Sequence, residues 1–208
     1  MRDLSGALSD LEKRDLLATV IDESERLNRF IANLLDMTKL ESGAIVPNLA
    51  PHDVSEVVGS ALRRAGKILA QHKITLDLAA DLPMLQVDAV LFEQVLFNLL
   101  DNAGKYSLPG STITLRGFRD GGQVALEIAD EGEGIPPGEL ESVFDKFYRA
   151  QKSDHVRPGT GLGLAISRGF IEAMHGRIFA ANRSDRSGAV LSIRLPIPAG
   201  SRALDTAA

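Results

Sequence analysis

The stretch Asp130-Glu131-Gly132-Glu133-Gly134-Ile135-Pro136 puts a carboxylate directly after an alternating run, Val124-Ala125-Leu126-Glu127-Ile128-Ala129. Alternation of this kind marks a half-buried strand. The glycines two and four residues past the carboxylate let the chain turn sharply and leave backbone bare to a bulky neighbour. A carboxylate held at a strand end beside bare backbone accepts hydrogen bonds from an exocyclic amine, such as that of adenine. Alone, Asp-x-Gly-x-Gly is equally an ordinary turn, so the flanking stretches decide between the two.

Before it, Asn98 and Asn102 stand four apart on an apolar helical pattern, and Lys105 follows three residues on, so all three share one face. Amide oxygens can ligate Mg²⁺, and an ammonium can neutralise phosphate oxygens. After it comes Phe144-Asp145-Lys146-Phe147-Tyr148-Arg149, with two phenylalanines three apart. That spacing suits either a core-facing turn or an element whose aromatics dock differently with and without a ligand. The polar residues that follow, with Pro158 and Gly159, read as a lid. Last, Gly159-Thr160-Gly161-Leu162-Gly163-Leu164 opens a helix. Backbone N–H groups exposed at a helix N-terminus form an anion site suited to phosphates. The stretch lacks the lysine and the serine or threonine of a P-loop. No βαβ unit surrounds it, which a dinucleotide fingerprint would require.

These groups need elements to hold them. Residues 9–42 predict one long helix: Ser9 and Glu12 form a capping box, and Gly43 supplies the stop. Its stripe (Leu17, Val20, Leu27, Ile31 and Leu34, widened by Leu16, Ile21, Phe30 and Leu35) is too broad for a helix that stands alone, and predicts a bundle or dimer arm. Ile45–Leu49 reads as a short strand. Asp53 caps a helix with Val54, Val57, Val58, Ala61, Leu62 and Ala65 inside. Strands are expected at 74–78, 85–87, 112–116, 123–129, 176–181 and 189–195, with Asp120-Gly121-Gly122 as a hairpin turn. Asp88 caps the amide-bearing helix to Tyr106, with Val90, Leu91, Val95, Leu96, Leu99 and Leu100 inside, and a further helix spans 162–174. The sum is an α+β sandwich: a mixed, mostly antiparallel sheet with helices on one face, preceded by a long helix.

Composition narrows the classes. A net charge of −5 gives no basic footprint for nucleic acid, and no nucleic-acid partner is expected. With no cysteine there are neither disulfides nor thiolate metal sites. No apolar stretch has membrane-spanning length and no signal-peptide pattern opens the chain, which we expect to be an excised piece of something longer.

In this order and spacing, the four stretches resemble the N, G1, F and G2 boxes of the sensor histidine kinase catalytic domain. That domain belongs to the GHKL ATPase superfamily, which also holds gyrase B, Hsp90 and MutL. The likeness spans about 50–197 and implies the Bergerat ATP-binding fold. It implies that Asn102, assisted by Asn98, ligates Mg²⁺; that Lys105 contacts phosphate and Tyr106 lines the site; and that Asp130 binds the adenine amine in a pocket shaped by Gly132, Gly134 and Ile135. Phe144 and Phe147 would anchor the lid base, Arg149 would reach the terminal phosphate, and Gly159, Thr160, Gly161, Leu162 and Gly163 would hold the phosphates. Two positions depart from the pattern: Glu131 stands where asparagine is usual, and Gly104 sits inside the N-box helix.

The stretch from Arg26 to Gly43 resembles the second helix of the dimerisation and phosphotransfer hairpin. Together with 57–64 it is most similar to the potassium-sensing KdpD subfamily. The resemblance implies three parts: 1–45, a partial dimerisation region; 46–197, the catalytic domain; and 198–208, a tail. It also implies a homodimer through the helical arm in the full-length protein and a KdpE-like response regulator as partner. The setting would be the cytoplasmic side of a bacterial inner membrane, reached only through segments not in this chain. The family's phosphoacceptor is a histidine on the first hairpin helix, followed by an acidic residue. His52, His72, His155 and His175 do not fit that pattern, so the acceptor is expected to come from outside the chain. Two other readings of the same boxes stand beside this one: a protein-serine kinase of the anti-sigma-factor type, and a nucleotide-responsive interaction module without catalysis.

Overall fold

Ser9 begins the first helix as its spacing to Glu12 predicts. The Glu12 amide donates to the Ser9 hydroxyl oxygen at 3.3 Å, and the Ser9 amide donates to the Glu12 carboxylate at 2.7 Å. Helix α1 runs from Asp10 to Glu41. The computed structural model describes residues 9–149 and 160–198. Within them follow β1 (Ala50–His52), α2 (Val54–Leu69), β2 (Lys73–Leu78), β3 (Leu85–Val87), α3 (Ala89–Tyr106), β4 (Thr112–Asp120), β5 (Gln123–Ala129), α4 (Gly163–Ala173), β6 (Arg177–Asn182) and β7 (Ala189–Pro196). Two short 3₁₀ turns, Pro137–Glu139 and Ser142–Phe144, lie between β5 and α4.

Five strands form one sheet in the order β2-β4-β5-β7-β6. Only β2–β4 is parallel; the other three pairs are antiparallel. Register aligns Leu76, Leu115, Ile128, Leu191 and Ala180 in one row across the sheet, and Leu126 and Ile193 in the next. This apolar face packs against α2, α3 and α4, whose buried residues include Val58, Ala61, Phe92, Leu96, Leu99, Ile166 and Phe170. The opposite face carries Thr114, Arg116, Glu127 and Ser192. The result is the α+β sandwich expected.

Three local expectations are corrected. No strand forms at Ile45–Leu49; the strand is β1, three residues long, and it exists because it pairs with β3, Ala50 opposite Val87 and His52 opposite Leu85. On α3 Val90 is 75% exposed, because the first turn projects past the core; Phe92 and Ala103 are buried instead. Strand β4 continues to Asp120, as its hairpin with β5 pairs all the way to Gln123.

Only the last turns of α1 pack on the fold. Met37 is buried, and Leu40 lies so close to Gly169 of α4 that a β-carbon there would stand 2.7 Å from Leu40 Cδ1. Asp36 accepts a hydrogen bond from Gln94 on α3 at 2.8 Å, and Glu41 pairs with Lys146. Further back, Leu16, Leu17, Val20, Ile21 and Leu27 remain exposed.

Candidate functional site

Strand β5 ends at Ala129, and the next residue, Asp130, is 7% exposed. Its Oδ1 accepts from the Gly132 amide at 2.8 Å and from the Ala189 amide at 3.1 Å. Among the described residues Oδ2 has no protein partner. Burial pushes the Asp130 carboxyl above its ordinary value, opposed by the two amides and by the Arg183 guanidinium. One oxygen is thus used to hold the side chain and the other is left as an acceptor, on a residue that lines a cavity of about 1000 Å³.

The backbone around Asp130 is packed to contact. A β-carbon on Gly132 would stand 2.3 Å from the Tyr106 carbonyl oxygen, so the end of α3 rests on this turn. Gly134 has φ +79°, a conformation that favours glycine, and a β-carbon there would meet Asn182 at 2.8 Å. The Asn182 amide side chain accepts from the Ile135 N–H at 2.7 Å and donates to the Ile135 carbonyl at 2.6 Å. From the same β6–β7 turn, Ser187 donates to the Gly132 carbonyl at 2.7 Å, and Arg183 to the Asp130 carbonyl at 3.4 Å. Gly188 abuts that carbonyl, leaving no room for a side chain. Glu131, the departure from the family pattern, accepts from the Thr112 amide and from Arg186, both at 2.9 Å. It ties the start of β4 to the β6–β7 turn. Sequence reasoning missed Asn182, Arg183, Arg186, Ser187 and Gly188. The one local signal was a polar turn with a glycine between two strands, and nothing in it says which loop it folds against.

Helix α3 supplies the opposite wall. Asn98, Asn102, Lys105 and Tyr106 line the cavity together with Asp130, Gly134 and Ile135. The Asn98 amide nitrogen donates to the Gly163 carbonyl at 3.2 Å and to Ser167 Oγ at 3.3 Å, pinning α3 to α4. Its oxygen is not used in these bonds. Lys105 pairs with Asp101 one turn before it on α3. The amide oxygens of Asn98 and Asn102 are hard donors, and Mg²⁺ takes few protein ligands while keeping waters and binding phosphate oxygens. The side chains present therefore fit that cation.

The third wall is the start of α4. Thr160, Gly161 and Gly163 line the cavity, as does Arg149. The first amides of a helix have no intrahelical acceptor, and Leu162, the N-cap residue of α4, supplies no side-chain cap bond in its place. Leu162 itself is buried and its amide donates to Thr160 Oγ1 at 3.3 Å. Gly161, at φ +69°, presses on the Phe147–Tyr148 backbone, and its carbonyl accepts from the Phe147 amide at 3.0 Å. Gly159 lies outside the described residues, as do His155 and the rest of the stretch read as a lid.

The two phenylalanines part company. Phe144 is 1% exposed in the core, whereas Phe147 is 63% exposed. The stretch read as a lid lies outside the described residues; the second 3₁₀ turn ends at Phe144, and Phe147 beyond it has φ +61°. Next to it, Tyr148 donates to Glu139, and burial with that carboxylate pushes the phenol up to about 12.

A family model described as histidine kinase-, DNA gyrase B-, and HSP90-like ATPase matches residues 87–199, just over half of the chain. Among known proteins, the sensor protein KdpD of Clostridium acetobutylicum is 38% identical over 190 residues, covering 91% of this chain and 21% of that protein. The sensor protein KdpD of Escherichia coli is 40% identical over 168 residues, covering 81% of this chain and 18% of that one. The chain thus spans about a fifth of the length of these relatives. Among solved structures, a mycobacterial sensor histidine kinase, MprB, superposes with a TM-score of 0.64 at 29% identity, over 75% of this chain and 99% of the other. No helix among the described residues is long and apolar enough to cross a membrane.

Proposed function

We propose that this chain, which belongs to the histidine kinase-, DNA gyrase B- and HSP90-like ATPase family, is the ATP-binding catalytic portion of a sensor histidine kinase. The observation that carries the reading is the Asp130 carboxylate: buried, with Oδ1 held by two amides and Oδ2 without a protein partner among the described residues, on a residue that lines the same cavity as Asn102 and the start of α4. An exocyclic amine donates to that second oxygen, which selects adenine over a base presenting a carbonyl at the same edge.

From adenine the ligand extends along α3 to α4. Asn102, with Asn98, would hold Mg²⁺, which supplies charge neutralisation between the phosphates. Lys105 exchanges its Asp101 partner for phosphate oxygens, and the uncapped amides of α4 donate to the chain of phosphates at the positive end of the helix. The site then works by positioning and electrostatics, as phosphoryl transfer demands. A neutral imidazole nitrogen from outside this chain forms the new P–N bond in line as the bridging oxygen departs with ADP. The phosphoryl passes on to an aspartate of a response regulator.

The likeness to two KdpD sensor proteins supports the potassium-sensing KdpD branch; with it we propose a KdpE-like regulator as partner, and the exposed stripe of α1 supports a homodimer built on that helix. The same reading places the chain on the cytoplasmic side of the inner membrane. In this reading 1–45 is the partial dimerisation region, 46–197 the catalytic domain and 198–208 a tail.

One experiment tests it. The chain is mixed with Mg-ATP and a fragment bearing the missing hairpin helix. Acid-labile phosphate on the fragment's histidine is the expected result. Stable phosphoserine on a partner instead would point to the serine-kinase relatives, and nucleotide binding without transfer to a non-catalytic module.

A further inference from the structure

The cavity has a wall that belongs to none of the four boxes. Arg26, Arg29, Asn33 and Asp36 of α1 recur at helical spacing and line it together with Asn102 and Gly161. Their orientation is set at the C-terminal end of α1, where Asp36 bonds Gln94, Leu40 seats on Gly169 and Glu41 pairs with Lys146. Those contacts leave Arg29, about 10 Å back along the axis from Asp36 at 1.5 Å per residue, facing the same space as the amides of α3.

Charge bears on what it meets there. Of the cavity's other cations, Arg149 lies on the far side beside the start of α4, Arg64 pairs with Glu93 at 3.3 Å and stacks over Phe97, and Lys105 is held by Asp101. Arg26 makes a pair with Glu23 at 3.3 Å that is more than half exposed on both sides, a kind of contact worth little and readily exchanged. Arg29 has no carboxylate partner among the described residues. Guanidinium suits phosphate oxygens because its planar fork donates two parallel hydrogen bonds.

Resting on the ATP-site reading above, we propose that Arg29, backed by Arg26, is a phosphate-binding group contributed by α1. It reaches the terminal phosphate of a nucleotide bound across α3 and α4. ATP then fastens the arm to the ATPase fold more firmly than ADP does, so the γ-phosphate is sensed by the helix that links the fold to its surroundings.

The test is titration of the full 208-residue chain and its variants with ADP and with a non-hydrolysable ATP analogue. Arg29 is exposed on a helix and alanine is a strong helix former, so Arg29→Ala folds. It should weaken analogue binding about tenfold, the loss of a charge-assisted hydrogen bond in a partly screened site, and leave ADP binding within about twofold. Arg29→Lys should restore part of the difference. Amide exchange in α1 should slow more with the analogue than with ADP in the parent chain, and equally with both in Arg29→Ala. Unchanged analogue affinity, or equal losses for both nucleotides, overturns the proposal. Asp130→Asn separates the two claims. If it weakens both ligands while Arg29→Ala does nothing, only the role of Arg29 fails. If it weakens neither, the ATP-site reading fails and takes Arg29 with it.

Discussion

The two ends of the cavity are built in opposite ways. At the Asp130 end each group is already tied. Two amides hold the carboxylate, Asn182 brackets Ile135 on both its N–H and its carbonyl, and Gly132 and Gly188 sit against carbonyls with no room to move. At the α4 end the groups that would meet phosphate are occupied with one another or uncapped. Lys105 is on Asp101, the first amides of α4 have no cap, and Phe147 stands exposed in a left-handed conformation. A preassembled end costs little reorganisation on binding and reads one chemical feature strictly. An end whose groups must exchange partners responds to what arrives. In the function proposed above, the base end would set identity and the phosphate end would report the state of the nucleotide.

The contrast is broken most severely at Gly188. Alanine there would place its β-carbon 2.1 Å from the Asp130 carbonyl at a φ of +140°. Gly188→Ala is expected to cost about 3 kcal/mol of stability, at the upper end for overpacking, and to abolish binding of ADP and ATP alike. Chemical denaturation and titration calorimetry measure the two effects, and retained binding would show that the base end is not rigid.

Next in size is Asp130→Asn. Loss of a charge-assisted hydrogen bond predicts about 1.5–3 kcal/mol of affinity, the same for ADP as for ATP.

Acidity sharpens the same point. The Asp130 carboxyl is raised in the free protein, chiefly by burial. In the folded chain, stability from this group is therefore fully present below its ordinary value of 3.8 and is lost as pH rises through the raised one. Ligand affinity has the opposite sign, because the amine bonds the ionised form. Affinity should fall on acidification at a pH above 3.8, and the fall should be absent in Asp130→Asn.

The smallest effect is expected at the exchangeable end. Lys105→Ala should weaken ATP by about 1 kcal/mol, since the lysine gives up an existing partner to bind phosphate, and leave adenosine binding unchanged. An equal loss for adenosine would mean that Lys105 shapes the base pocket instead.

How far these ends could be foreseen differs in the same way. The capping pair Ser9–Glu12, the Asp88 cap and the three-and-four spacing on α3 are local signals, and local contacts realise them. The side of the sheet that the helices cover follows from alternation, which the register keeps, whereas the order of the strands does not. Asn182 and Gly188 were illegible because their partners lie some fifty residues away and are met only when β5 and β7 pair. The same nonlocality moved the first strand from Ile45–Leu49 to Ala50–His52, since β3 chooses its register. The different burial of Phe144 and Phe147 was illegible for another reason: spacing says which residues share a face but cannot see a positive backbone φ.

The one parallel pair in the sheet also has a consequence for folding order. Strands β4 and β5 meet across a two-residue turn, whereas β2 reaches β4 only after the chain has gone through β3 and α3. Contacts between near neighbours form early and cheaply in chain entropy, and distant ones late. As an edge strand with Ile74 and Leu76 partly exposed, β2 gains less from burial than the strands inside. The expected order of assembly is therefore hairpin first and β2 last. In native-state amide exchange, Lys73–Leu78 should open before any other strand of the five, at a free energy below that of global unfolding.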